Sequence, residues 1–317
     1  MILARPLLLM RLLLLLPLLL AACEAPGDGL DYDTCGVRPR ITVPVQRMGD
    51  LPIVQATVKG QPAHFLLDTG ASGIVLTEAA LHRLDLQTDA KRVITGTGAG
   101  GSSRFFAGKL LDMKILGQPQ PLQVPDHPVA VLPMTSGWAA AGVADGLFGV
   151  SVLSVFEVDL DLPHNEVTLY YGHLCPTTVV PPWTSRFVTL DASASAGGRF
   201  IVPVELNGRR LLALLDTGAA VTLVATDVAE SMGISRAALA AQPAGQIVGT
   251  GPDHPQAYRH MFDTLTFAGQ TFHNQTLMVT DRPEARVDMI IGADYLADHR
   301  VWLSYARRMV FIERPAP

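Results

Sequence analysis

The chain has little cysteine. Three stand among 317 residues, Cys23, Cys35 and Cys175, too few for a disulfide-knit scaffold. Nine histidines form neither an H-E-x-x-H pair nor a Cys/His cluster, so no metal site is implied. Basic residues are not in excess: 24 Lys and Arg stand against 29 Asp and Glu, for a formal net charge of -5. With no basic patch, nucleic acid is not an expected partner. The G-x-S-x-G elbow of serine hydrolases is absent. Gly96, Gly98 and Gly101 match G-x-G-x-x-G, but that fingerprint needs a helix next and an acid about 20 residues on. Gly108 interrupts any such helix and position 121 is proline. No dinucleotide, and no cofactor of any kind, is implied. What the chain does have is apolar material, 49% hydrophobic against 17% charged residues, enough for a sizeable packed core.

The N-terminus reads MILARPLLLMRLLLLLPLLLAAC. Arg5 and Arg11, an apolar stretch from Leu12 to Leu20 and then small residues make residues 1–22 an export signal. The apolar stretch is short for a membrane span, which takes about 20 residues. Its end, Leu20-Ala21-Ala22-Cys23, resembles a bacterial lipobox. That resemblance implies lipid on Cys23, a lipid-anchored envelope protein and, with Glu24 next, the periplasmic face of the outer membrane. Loss of the signal removes two arginines and takes the formal charge from -5 to -7. In an oxidising compartment Cys35 and Cys175 are candidates for a disulfide that would close the first half of the chain. Residues 23–40 read as a tether.

The rest is written twice. FLLDTGASGIVL (65–76) and ALLDTGAAVTLV (213–224) lie 148 positions apart. At that shift Ile53-Val54 falls on Ile201-Val202, Gly60 on Gly208, and Leu66-Leu67-Asp68-Thr69-Gly70-Ala71 on Leu214-Leu215-Asp216-Thr217-Gly218-Ala219. Each half predicts a strand, a glycine turn, a second strand, the triplet at a loop and then a short helix, over 77–84 and 225–232. Gly-Thr-Gly follows in both, at 96–98 and 249–251. At a shift of 143, Leu147-Phe148-Gly149 falls on Ile290-Ile291-Gly292. Both halves end in two apolar alternating segments around a turn, FEVDLDLPHNEVTLY and HRVWLSYARRMVFI. The Pro-rich stretch 172–183 reads as a connector between lobes at 41–171 and 184–314. An aspartate inside an apolar strand is costly unless it is used or paired. Two in matching contexts suggest two halves that bring their carboxylates together.

Asp-Thr-Gly in an apolar strand, followed by apolar-apolar-Gly, resembles the pepsin and retropepsin aspartic proteases. Ala71 and Ala219 look more like the retroviral type, which is a homodimer with one triplet per chain. This chain resembles a fused version, over about residues 41–314. The resemblance implies a mainly β, bilobal acid-protease fold, two pseudo-symmetric barrel-like lobes with short helices, in a monomer that is an internal pseudo-dimer. It implies an aspartic endopeptidase with Asp68 and Asp216 as catalytic dyad and a peptide or unfolded protein as substrate. Thr69 and Thr217 would lock the halves together, and Gly70 and Gly218 would let backbone approach the carboxylates. Gly149 and Gly292 would lie where a loop passes beneath each triplet. Gly96-Thr97-Gly98 and Gly249-Thr250-Gly251 would be flaps over an extended peptide, with Ser72 beside it. The family usually has an acid at the positions of Ser72 and Ala220, so the cleft is expected to be asymmetric. The alternative is a peptide-binding envelope lipoprotein that keeps the cleft and does not cut, toward which Ala220 and the lack of a flap tyrosine in the first half lean.

Overall fold

The strands that lead into Asp68 and Asp216 lose the alternation their neighbours keep. Phe200–Leu206 buries every second residue, as a strand with one dry face does. In Gln61–Leu67 and Arg209–Leu215 the last three residues are all buried. Phe65 and Leu67 face the main core, as do Ala213 and Leu215. Leu66 points the other way, into a cluster with Ile53, Phe105, Leu132, Trp138 and Leu147. Leu214 does the same with Leu223, Val287 and Ile290. Each triplet therefore ends a strand that is covered on both faces, which is why it reads as a continuous apolar run.

The computed structural model describes residues 38–134, 137–171, 180–195, 197–281 and 287–314. The signal, Cys23, Cys35 and Cys175 lie outside them. The fold is mainly β, in two lobes. In each lobe a two-residue turn joins the leading strand to the triplet strand: Leu51–Val58 to Gln61–Leu67, and Phe200–Leu206 to Arg209–Leu215. The turns are Lys59-Gly60, with φ of 50° and 76°, and Asn207-Gly208, with 47° and 77°. Two positive φ values in a two-residue loop are the hairpin geometry that glycine and asparagine favour. Gly146–Phe148 and Met289–Ile291 then run parallel to the triplet strands. Short helices, Glu78–Arg83 and Thr226–Ser231, follow where they were expected. The hydroxyl of Thr77 caps the first of them by accepting from the Ala80 N–H at 3.1 Å.

The C-terminal lobe closes as a six-stranded barrel. Its strands run Phe200–Leu206, Arg209–Leu215, Met289–Ile291, Leu223–Ala225, Gln270–Thr280 and Gln256–Phe267, and the last pairs back with the first at Leu206 and Leu265. The N-terminal lobe follows the same circuit, but its long hairpin is broken. Gly101–Leu110 stops and Met113–Ile115 resumes; opposite, Leu122–Val124 and His127–Leu132 are interrupted likewise. The two breaks meet where the Asp112 N–H donates to Asp126 Oδ1 at 3.0 Å. Met113–Ile115 then pairs with Leu51–Val58.

Six antiparallel strands join the lobes, in the order Phe187–Asp191, Met309–Glu313, Arg300–Ser304, Glu157–Asp161, Glu166–Tyr171 and Arg38–Met48. Arg38–Met48 takes in Arg38, Pro39 and Arg40, from the end of the stretch read as tether. At the centre Asp159 stands opposite Trp302. Glu157 and Asp159 are buried there because each finds donors. Trp302 Nε1 donates to Glu157 at 3.0 Å. Arg300 grips both oxygens of Asp159 at 3.1 and 2.7 Å, and Trp183 Nε1 adds a third bond at 3.1 Å. Burial raises Asp159 above the usual carboxylate range, and the Arg300 and Trp183 bonds pull it back.

Asp159→Ala therefore leaves the Trp183 N–H without its acceptor and, among the described residues, Arg300 with Asp161 as its remaining ion-pair partner, at 3.4 Å. The expected loss is about 2–3 kcal/mol in urea denaturation. A loss under about 0.5 kcal/mol would show that the cluster is not a structural tie.

Candidate active site

Thr69 and Thr217 tie the two triplet loops to each other. The Thr69 N–H donates to Thr217 Oγ1 at 3.1 Å, and the Thr217 N–H donates to Thr69 Oγ1 at 3.1 Å. The Thr69 hydroxyl donates to the Leu215 carbonyl at 2.8 Å and the Thr217 hydroxyl to the Leu67 carbonyl at 2.6 Å. Both threonines are buried. Each hydroxyl thus accepts once and donates once, so nothing polar is left unsatisfied at the centre of the interface.

This lock sets the carboxyls side by side. Asp68 is 8% exposed, and Asp216 keeps one side to the cleft. Their side chains hydrogen-bond to one another. Each Oδ1 also accepts two backbone N–H groups: Gly70 and Ala71 at 2.8 Å each for Asp68, and Gly218 at 2.8 Å and Ala219 at 3.1 Å for Asp216. The glycines are required by the neighbour across the interface. A Cβ on Gly70 would lie 2.3 Å from Asp216 Cγ, and one on Gly218 would lie 2.4 Å from Asp68 Cγ.

Burial pushes Asp68 well above the usual carboxylate range, and the charge and hydrogen bond of Asp216 push it further against the pull of the Ala71 and Gly70 N–H groups. Burial raises Asp216 as well; the Gly218 N–H, the Asp68 side chain, the Ala219 N–H and the attraction of Arg199 restrain it. Two carboxyls in contact cannot both ionise at ordinary pH, so they hold one proton between them.

Beneath the triplets the chain passes close. The Asp68 N–H donates to the Phe148 carbonyl and the Asp216 N–H to the Ile291 carbonyl, both at 3.0 Å. A Cβ on Gly149 would meet the Ala71 and Gly73 carbonyl oxygens at 2.5 Å, and one on Gly292 would meet Val221 backbone at 2.6 Å. Above, the two glycine-rich tips touch. Gly96, Thr97 and Gly98 end the strand Thr88–Gly98, whose pairing with Gly101–Leu110 shifts register between Asp89 and Val93 and is continuous from Val93 to the tip. Gly249, Thr250 and Gly251 lie in an irregular tip between Pro243–Gln246 and Gln256–Phe267. The Asp253 N–H donates to the Gly100 carbonyl at 3.0 Å. A Cβ on Gly98 would lie 2.3 Å from Thr250 Oγ1, and one on Gly100 would lie 2.7 Å from the carbonyl carbon of Gly251. The Trp138 N–H donates to the Gly249 carbonyl at 3.3 Å, tying the second tip to the first lobe. Ser72 is exposed at the cleft, beside Gly197 of the other lobe. Among the described residues no group of three or more His, Cys, Asp or Glu is placed to hold a metal ion.

A family model described as "Aspartyl protease" matches residues 54–152 and 202–295, more than half of the chain and one block per lobe. The chain belongs to the aspartyl protease family. No curated protein matches it. Among solved structures it is similar to basic 7S globulin from soybean, at 12% identity and a TM-score of 0.50 over 88% of this chain and 95% of that one. An aspartic proteinase from Irpex lacteus matches at 13% identity and a TM-score of 0.49, over 87% and 97%. At 12% identity the likeness to the soybean protein is one of fold.

The sequence reading of the family site missed Arg199 and Trp138; Gly100 falls in the Gly-rich tip 96–101 that reads as a flap. Arg199 carried a signal: at the shift of 148 it falls on Leu51, a charge where its counterpart is apolar.

The raised carboxyl predicts a pH effect on stability. A carboxyl whose folded pKa is raised favours the folded state at low pH, and that contribution is lost as pH rises from the unfolded value through the folded one. Asp68→Asn removes the loss. Its thermal midpoint is expected to match wild type near pH 3 and to exceed it increasingly toward neutrality. A constant difference across that range would contradict a raised Asp68.

Proposed function

We propose that the protein is an aspartic endopeptidase that hydrolyses peptide bonds with a water activated between Asp68 and Asp216. The observation that supports it most is the approach of the Asp68 and Asp216 carboxyls to each other, at the floor of a cleft roofed by two glycine tips. One carboxylate takes a proton from water as the oxygen attacks the peptide carbonyl, while the other carboxyl gives its proton to the carbonyl oxygen. The adduct then collapses: the C–N bond breaks, the proton taken from water goes to the leaving nitrogen, and the carbonyl-derived hydroxyl returns its proton to the dyad. One water is added across one amide, with no metal or cofactor required. The apolar clusters around Leu66 and Leu214 exclude water from the strands behind the dyad, which strengthens the electrostatics within it.

The substrate is an extended peptide or an unfolded protein. The tips around Gly98 and Gly251 must part to admit it, then close to hold its backbone. The chain acts as a monomer, because both halves of the site are present in it. The lipobox-like Leu20-Ala21-Ala22-Cys23 motif supports an anchor in the bacterial envelope through lipid on Cys23, with the cleft on the periplasmic side of the outer membrane. Contact with the membrane is made by that lipid.

The test is cleavage of an unfolded protein by the purified protein from acid to neutral pH. Asp68→Asn and Asp216→Asn are each expected to lower kcat/KM by about 10²–10⁴-fold while the native near-UV circular dichroism is kept. Full activity in either variant would refute the dyad. Peptide bound tightly but recovered intact by wild type at every pH would favour the non-cutting reading.

A further inference from the structure

The first flap has two faces. Phe105 turns inward and packs with Leu66 and Trp138. Phe106 points the other way, directly opposite Val93, and Arg104 opposite Thr95 lies in the same row. Phe106 is 57% exposed and Val93 40%. A large apolar pair facing water on a paired strand asks what covers it.

The repeat shows what covers this face in the other lobe. Ala130 and Met278 stand beside Val75 and Leu223, which match at the shift of 148. Their antiparallel partners are Ala107 and Arg259. Phe106 therefore corresponds to Tyr258, and Val93 to Pro243, which stands opposite Tyr258. Just before Pro243 the second lobe forms the helix Arg236–Ala240. Leu239 of that helix is fully buried in the main core, and Tyr258 packs against the same core. In the first lobe residues 84–87 lead straight from the helix Glu78–Arg83 to the flap strand and form no helix. Phe106 and Val93 are left without that cover.

The uncovered face is also basic. Residues 88–110 carry Lys91, Arg92, Arg104 and Lys109 against Asp89, a formal charge of +3. The matching residues 243–262 carry Arg259 against Asp253, a charge of 0. The chain without its signal stands at -7, so the remainder holds -10 and the first flap is a basic island in an acidic protein. Its four cations are exposed, and among the described residues none of them forms an ion pair.

We propose that this face docks on a bilayer of anionic phospholipid, with Phe106 and Val93 in the interfacial layer and Lys91, Arg92 and Arg104 on the phosphates. Apolar residues flanked by basic ones gain from both layers of such a surface. The second-lobe cover, RAALA, itself carries an arginine, so four cations beside Phe106 repel a copy of that helix and attract phosphate. Docking adds a second contact to the lipid proposed on Cys23 and turns the flap side of the cleft toward the bilayer. It goes beyond the protease reading and does not depend on it.

The test is flotation of the chain from residue 23 with Cys23→Ser, which carries no lipid. One set of vesicles holds phosphatidylglycerol and phosphatidylethanolamine, the other phosphatidylcholine alone. The chain is expected to float with the anionic vesicles, to be released by about 0.5 M salt, and to stay behind with the neutral ones. Phe106→Asp is expected to lower the partition about ten- to hundredfold. Arg92→Gln and Arg104→Gln each lower it about fivefold. Met261→Asp, at a residue of the second-lobe hairpin that is also 57% exposed, leaves it unchanged. Near-UV circular dichroism checks that each variant keeps its fold. Equal binding to both vesicles, binding to neither, or equal losses for Phe106→Asp and Met261→Asp would overturn the proposal. So would a dimer in sedimentation equilibrium that Phe106→Asp dissociates, because a second copy would then be the cover. Cleavage of an unfolded protein without vesicles reads the protease proposal separately.

Discussion

Asp68 and Asp216 are pressed together by backbone from both lobes, in a space where only one of them can carry charge. An isolated buried carboxylate is expensive, and two in contact add their repulsion. The surroundings answer both costs. Four backbone N–H groups point at the two Oδ1 atoms, the missing Cβ atoms of Gly70 and Gly218 allow the approach, and the threonine lock fixes the separation. The lock in turn needs the lobes in register. The six-stranded sheet beneath supplies that register, through the pairing of Glu157–Asp161 with Arg300–Ser304. The reactivity of the pair is thus a property of the whole interface and of neither lobe alone.

Duplication provides the second carboxylate, and fusion frees the two copies to diverge. The C-terminal barrel keeps one continuous long hairpin, while the N-terminal one breaks its hairpin at Asp112 and Asp126. One flap stays paired up to its tip at Gly98 and Gly101, and the other ends in an irregular tip. The cluster under the first flap holds Phe105 and Trp138, whereas that of the second lobe is aliphatic. Leu51 and Arg199 differ most in kind. These departures surround a centre that stays matched, as expected if the lock tolerates no change and the surrounding cleft does.

Much of this was legible because the responsible residues act locally. Lys59-Gly60 and Asn207-Gly208 announce their turns, and Asp-Thr-Gly after an apolar run announces a buried loop. The short helices follow Thr77 and Ala225 as read. What was not legible depends on contacts made across the chain. Glu157 and Asp159 alternate with apolar residues and read as solvated positions, yet both are buried, because Trp302, Arg300 and Trp183 arrive from more than 20 residues away. Nothing local in the sequence announces that Asp126 receives the Asp112 N–H and stitches two strand breaks. The tether and the first strand merge without a signal, since Arg38-Pro39-Arg40 looks like linker and pairs only once Tyr170 and Tyr171 come beside it. Arg199 could be seen as an anomaly in the repeat, but only the fold shows that it reaches Gly70.

The central claim is that two carboxyls hold one proton between them. Neutron diffraction from deuterium-exchanged crystals at neutral pH tests it most directly. The account predicts a single deuteron between the side chains of Asp68 and Asp216, with two backbone N–D groups on each Oδ1. Two bare carboxylates separated by solvent would contradict it.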